Sequence, residues 1–128
     1  MKIGVSAVAP SLDARVDPRF GRCQHFVIVD SDTMTFDAVP NEAAQAAGGA
    51  GIHAAQTLVH RKVNVVLTGR IGPNAFHALS AADVTIVPGA DGTVREAVEA
   101  YVKGTLSAVN QPTVGAHFGA RGSGERRR

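Results

Sequence analysis

Residues 63–73, Val-Asn-Val-Val-Leu-Thr-Gly-Arg-Ile-Gly-Pro, decide the fold. Val63 to Thr68 is a nearly unbroken apolar run, the pattern of a strand covered on both faces. Gly69-Arg70-Ile71-Gly72 then turns the chain, and Pro73 suits the first position of a helix, where a missing N–H is no loss. A doubly covered strand that leads directly into a helix is the repeating step of an α/β protein with a parallel sheet.

Working downstream, the pattern predicts a helix over Pro73–Ala81 and a strand over Asp83–Val87. Asp91-Gly92 is turn chemistry, and Thr93-Val-Arg-Glu96 matches a capping box. Behind it Val94, Ala97, Val98, Tyr101 and Val102 recur at helical spacing on one apolar face, with Gly104 placed as the C-cap. Upstream, Ile3–Val8 reads as a central strand, His25–Asp30 as a second and Met34–Val39 as a third. The short connection makes the last two an antiparallel hairpin. A helix is expected over Ile52–Arg61, with Ile52, Ala55, Leu58 and Val59 on its buried side. Between the first two strands, Ala9–Gln24 has no periodicity and is expected to be a long loop, a kind that is usually functional or disordered.

The 128 residues suit one domain, predicted over residues 1–111, followed by a flexible basic tail over 112–128. Apolar residues make up 45% of the chain but aromatics only 5%, so small aliphatic side chains must pack the core. The formal charge of +2 belongs to the tail: residues 1–120 carry nine basic and ten acidic groups. A nucleic-acid surface is therefore not expected. A single cysteine excludes an internal disulfide, and the first residues read as a strand rather than a signal peptide, so a cytoplasmic protein without membrane attachment is expected.

Candidate chemistry gathers at three loops. Residues 17–29, Asp-Pro-Arg-Phe-Gly-Arg-Cys-Gln-His-Phe-Val-Ile-Val, place the lone Cys23 near Arg19 and Arg22 on a loop entering a strand. Neighbouring guanidiniums favour a thiolate, the form that binds soft metals; the plain alternative is a small buried hydrophobe. Gly48-Gly49-Ala50-Gly51 precedes one helix and Gly69–Gly72 another. Each would present backbone N–H groups to an anion, and in an open α/β sheet such a crevice lies beyond the carboxyl ends of the parallel strands. Neither turn matches a Walker phosphate loop or a dinucleotide fingerprint. His25 and His53 are the histidines placed to reach that crevice. No nucleophile elbow stands out, and the first and fourth strands lack the carboxylates of a two-metal site, so the residues favour binding over catalysis.

Four segments, Met1–Ser6, Asp17–Asp30, Gly48–Gln56 and Val65–Phe76, resemble the dinitrogenase iron–molybdenum cofactor biosynthesis family over roughly residues 1–106. The resemblance implies a ribonuclease-H-like three-layer α/β/α fold with a mixed five-stranded sheet in the order 3-2-1-4-5. It also implies a nitrogen-fixation-related, non-enzymatic role in binding or carrying metal–sulfur clusters. A related protein type holds a molybdenum–copper sulfide cluster largely without covalent contacts. Phe20-Gly21-Arg22, Gly49, Gly51, His53, Gly69, Gly72, Pro73 and Asn74 match motif positions. The expectation is therefore an anionic iron–molybdenum or other metal–sulfur cluster, its charge offset by Arg19, Arg22 and the two helix N-termini. Cys23, with His53 or His25, would ligate it, either labilely or shared across a homodimer. Expected partners are an apo-metalloenzyme or cluster-assembly proteins. Two other readings stay open: a small-anion or nucleotide-binding regulatory module, and a domain that docks a metalloenzyme through its hairpin edge.

Overall fold

The computed structural model describes residues 1–110 and 112; apart from Pro112, the expected basic tail lies outside them. Five strands form one sheet: β1 (Lys2–Ala7), β2 (His25–Asp30), β3 (Phe36–Pro40), β4 (Val65–Leu67) and β5 (Thr85–Val87). Their spatial order is 3-2-1-4-5. The β1–β2 and β2–β3 pairs are antiparallel, whereas β4 runs parallel to both β1 and β5. Helices α1 (Ala50–His60) and α2 (Pro73–Ala81) cover one face and α3 (Val94–Lys103) the other.

The period of two along each strand divides the core between these layers. Ile3, Val5, Val27, Val29, Val65, Leu67 and Val87 face α3, while Phe26, Ile28, Val66 and Ile86 face α1 and α2. Gly4 lies on the latter face, where an added Cβ would already touch Leu58 and Val63 side chains at 3.4 Å. The missing side chain lets α1 sit close over the central strand.

The strands are shorter than their hydrophobic runs suggest. Val63 and Val84 are buried but precede their strands, because Lys62 and Asp83 turn the chain with positive φ. Met34 does the same in the hairpin, so β3 starts at Phe36. Helix α1 begins at Ala50, two positions earlier than expected, and its buried stripe is Ala50, Ala54, Ala55 and Leu58. Ile52 lies off that stripe and is exposed rather than buried. Val102 is also exposed, whereas Val94, Ala97 and Val98 are buried.

The long loop after β1 has no periodicity because it serves both layers. Leu12, Ala14 and Val16 are buried on the α3 side, whereas Phe20 and Cys23 are buried on the α1/α2 side. Between them the chain crosses the carboxyl edge of β1. The crossing is pinned by Asp17 N–H donating to the Ser6 carbonyl (2.8 Å) and by Ser6 Oγ donating to the Asp17 carbonyl (2.7 Å). Arg70 N–H donates to the Pro18 carbonyl (2.8 Å), which attaches the loop to the turn after β4.

Candidate anion-binding cleft

At the carboxyl ends of β1 and β4, three segments enclose a cleft of about 360 Å³. They are the 19–22 loop, the start of α1 (49–52) and the turn that enters α2 (70–75). The segments touch through glycines. A Cβ on Gly21 would lie 2.9 Å from Gly51 N, one on Gly51 would lie 3.2 Å from Ala75 Cβ, and one on Gly69 would lie 2.5 Å from Pro18 Cα. Loop meets α1, α1 meets α2, and the α2 turn meets the loop again. At Gly21 and Gly69 the facing backbone comes too close for any side chain, and at Gly51 a Cβ would crowd that of Ala75.

Both helix starts lack a cap. Gly49, the N-cap of α1, has φ +73°, a left-handed conformation that favours glycine, and Gly72 caps α2; neither has a side chain to offer. The first intrahelical bonds run from His53 N–H to Gly49 O and from Phe76 N–H to Gly72 O. The N–H groups of Ala50, Gly51, Ile52, Asn74 and Ala75 therefore have no intrahelical acceptor. No acidic residue occupies the first turn of either helix. Each terminus thus presents the positive end of its helix dipole to the cleft, worth about 0.3–1 kcal/mol toward an anion and up to ~2 when partly buried.

Three arginines line the same space, and their guanidiniums differ in what they contact. The Asp17 carboxylate, nearly fully buried, accepts hydrogen bonds from the Arg19 backbone N–H (2.9 Å), Nε (3.3 Å) and Nη2 (3.4 Å). This bond and the adjacent charge raise the Arg19 pKa further above its usual value. Arg22 Nη1 donates to the carbonyls of Ala44 (2.9 Å) and Ala46 (2.8 Å), tying the cleft loop to the short 3-10 turn Glu42–Gln45. Asn41 strengthens that tie: its Nδ2 donates to the Gly21 (3.1 Å) and Cys23 (2.9 Å) carbonyls, while its Oδ1 accepts from Ala43 N–H. Arg70 lines the opposite wall. No carboxylate, thiol or imidazole is among the lining residues.

The structure brings Arg19, Phe20, Gly21, Arg22, Gly49, Gly51, Gly72 and Asn74 together on this one cleft. Gly69 stands just behind it, packed on Pro18. The three expected metal ligands do not join them. Cys23 is fully buried, donates its S–H to the Phe20 carbonyl (3.3 Å) and receives Asn41 Nδ2 at 3.7 Å. Burial foremost, then the negative charge of Asp17, pushes its pKa up to about 12, against weaker opposing hydrogen bonds from Ala7, Asn41 and its own backbone. This corrects the expected thiolate: Arg19 is occupied by Asp17 and Arg22 by carbonyls, so no guanidinium offsets the thiol's desolvation. His53 is exposed and lines a separate groove with Glu42, Gln56 and His60. His25 opens β2 between Ala7 and Pro40, with its Nδ1 buried and unpartnered among the described residues. No group of three or more His, Cys, Asp or Glu side chains converges as a metal site among the described residues.

Sequence reasoning missed Arg70, Ala50, Ile52, Ile71 and Ala75 as cleft residues. Arg70 stood inside the glycine turn already singled out. The signal was its place beside N–H groups, where a cation reinforces rather than opposes the helix terminus.

The family described as "Dinitrogenase iron-molybdenum cofactor" matches residues 1–104. The apo form of the orange protein from Desulfovibrio gigas superposes with a TM-score of 0.86 at 42% identity, covering 88% of this chain and 96% of that one. A Thermotoga structure assigned as a NifB protein gives a TM-score of 0.76 at 31% identity, covering 88% and 97%. An uncharacterized protein of Methanocaldococcus jannaschii is 24% identical over 110 residues, 83% of this chain and 93% of the relative. No helix among the described residues is long and apolar enough to cross a membrane.

Proposed function

The chain belongs to the dinitrogenase iron-molybdenum cofactor family, and from that premise we propose that its cleft carries an anionic metal–sulfur cluster as non-covalently held cargo. The observation that carries this reading is the convergence of two uncapped helix N-termini and three arginines on one cleft without a carboxylate. The donor set suits sulfide-bearing anions. Backbone N–H and guanidinium groups supply charge, while Ile52 and Pro73, both exposed, supply apolar surface for soft, polarizable sulfur. Gly72 has no atom within 4 Å of where its Cβ would stand, which leaves room at that terminus.

Cys23 plays no part in this proposal except to hold the loop. Without a thiolate, retention rests on charge-assisted hydrogen bonds at about 1.5–3 kcal/mol each and two helix termini at about 0.3–1 kcal/mol each. Two such bonds with both termini sum to about 4–8 kcal/mol, millimolar to micromolar binding. Cargo held this weakly is released readily, as delivery to an apo-metalloenzyme or to assembly proteins requires.

Anaerobic titration with molybdate, sulfide and iron, read at equilibrium against a protein-free blank, should give charge-transfer absorption with the wild type and equally with Cys23→Ala. Thermal shift with orthophosphate and ATP serves as the contrast. Stabilisation by those ligands, with no chromophore formed, would instead establish a small-anion or nucleotide module.

A further inference from the structure

The three cleft arginines have unequal freedom. Arg19 is held by a carboxylate that is itself buried, so the pair contributes little net charge to the cleft. Arg19 cannot turn fully toward a ligand without leaving Asp17 as an uncompensated buried charge, a costly state. Arg22 keeps its positive charge, because its partners are carbonyls, but Nη1 is committed to two of them. Arg70 differs from both. The ion pairs among the described residues are Met1–Asp32, Arg19–Asp17, Arg61–Asp37 and Arg95–Asp13, and none includes Arg70. No hydrogen bond of its guanidinium is made to another described residue.

Its backbone, by contrast, is fixed. Arg70 N–H donates to Pro18 O, residues 19 and 70 form an isolated parallel bridge, and Gly69 packs against Pro18. A guanidinium with no partner among the described residues thus stands on a turn with a fixed backbone, lining the same cleft as Asn74 and Ala75. We propose that Arg70 is the arginine that contacts the bound anion directly and sets its affinity, that Arg22 adds charge from the far wall, and that Arg19 with Asp17 is a positioning pair. This rests on the reading of the cleft as an anion site and assigns the work within it.

The test is equilibrium dialysis of the full chain against tetrathiomolybdate at several salt concentrations, with melting temperature followed in parallel. Arg70→Ala should bind at least tenfold more weakly with an unchanged melting temperature and a shallower salt dependence, since one exposed cation has been lost. Arg70→Gln should behave alike, which separates charge from side-chain size. The double change Asp17→Asn with Arg19→Gln removes the pair without altering net charge and should shift affinity by less than about threefold, even if the melting temperature falls. Wild-type affinity in Arg70→Ala, or a tenfold loss confined to the double variant, overturns the assignment while leaving the cleft an anion site. Absence of binding by the wild type to tetrathiomolybdate, molybdate and orthophosphate alike overturns the site itself, and the assignment with it.

Discussion

Helix α3 and helices α1 and α2 begin in opposite ways. At α3, Thr93 Oγ1 accepts from Glu96 N–H (3.1 Å) and the Glu96 carboxylate accepts from Thr93 N–H (2.9 Å). The helix satisfies its own first turn and places a negative charge on its positive end. At α1 and α2 glycine stands where Thr93 stands in α3, no acid follows, and both ends open on the same cleft. One fold therefore contains a helix start that caps itself and two left uncapped at a cleft. The difference lies in a few side chains at the N-cap and N3 positions rather than in helix propensity.

The largest disturbance of this contrast comes from the contacts that bring the receptive ends together. Gly69→Ala forces a Cβ into Pro18 backbone atoms at 2.5–2.8 Å, which only a shift of the loop relieves. A stability loss of about 2–3 kcal/mol is expected in urea unfolding, together with loss of anion binding. An unaltered midpoint would mean that the loop is not clamped to the α2 turn.

A thiolate contribution to the cleft would break the contrast, and alkaline titration tests it. With the folded pKa of Cys23 raised from 9.0 to about 12, the native state holds the thiol proton that the unfolded chain loses. The stabilisation is thus complete below pH 9 and disappears as pH rises toward about 12. Relative to Cys23→Ala, wild-type stability should fall by about 1.4 kcal/mol per pH unit at most within that window. Parallel curves for the two proteins would show that the thiol is not buried as described. Alkylation of the native thiol at pH 8 should likewise be far slower than in denaturant.

Two smaller changes invert the helix starts. Thr93→Ala should lower stability by about 1 kcal/mol and leave anion affinity within twofold, because α3 does not reach the cleft. Gly72→Asp places a capping carboxylate at an N-cap with φ −83° and ψ 172°, which any residue adopts. It should raise the melting temperature slightly, by about 0.5 kcal/mol of added stability, and weaken anion binding at least tenfold. If Gly72→Asp still binds tetrathiomolybdate normally, the α2 terminus is not part of the site.

Much of this was legible along the chain because it is local. The run at Val63–Thr68, the period-two strands, Pro73 at a helix start and the capping box at Thr93–Glu96 each reflect preferences of neighbouring residues. The sequence also showed that two glycine turns would leave helix N-termini uncapped, since an N-cap without a side chain is visible as a letter. It could not show that Ile52 is exposed, because Ala50, Ala54, Ala55 and Leu58 also recur at helical spacing, and only packing decides which stripe is buried.

The amino-acid order by itself thus determined which segments become strands and helices, and which helix starts are capped or bare, because those depend on short-range backbone and side-chain chemistry. Only the tertiary structure decided that Gly21, Gly51 and Gly69 bring three distant segments into van der Waals contact. It alone decided, too, that Asp17 takes up Arg19 and that Cys23 falls inside the core, while the Arg70 guanidinium at the cleft has no partner among the described residues. The physical reason is common to all of these: charge and thiol reactivity follow from burial and from the nearest partner, and both are set by contacts between residues far apart along the chain.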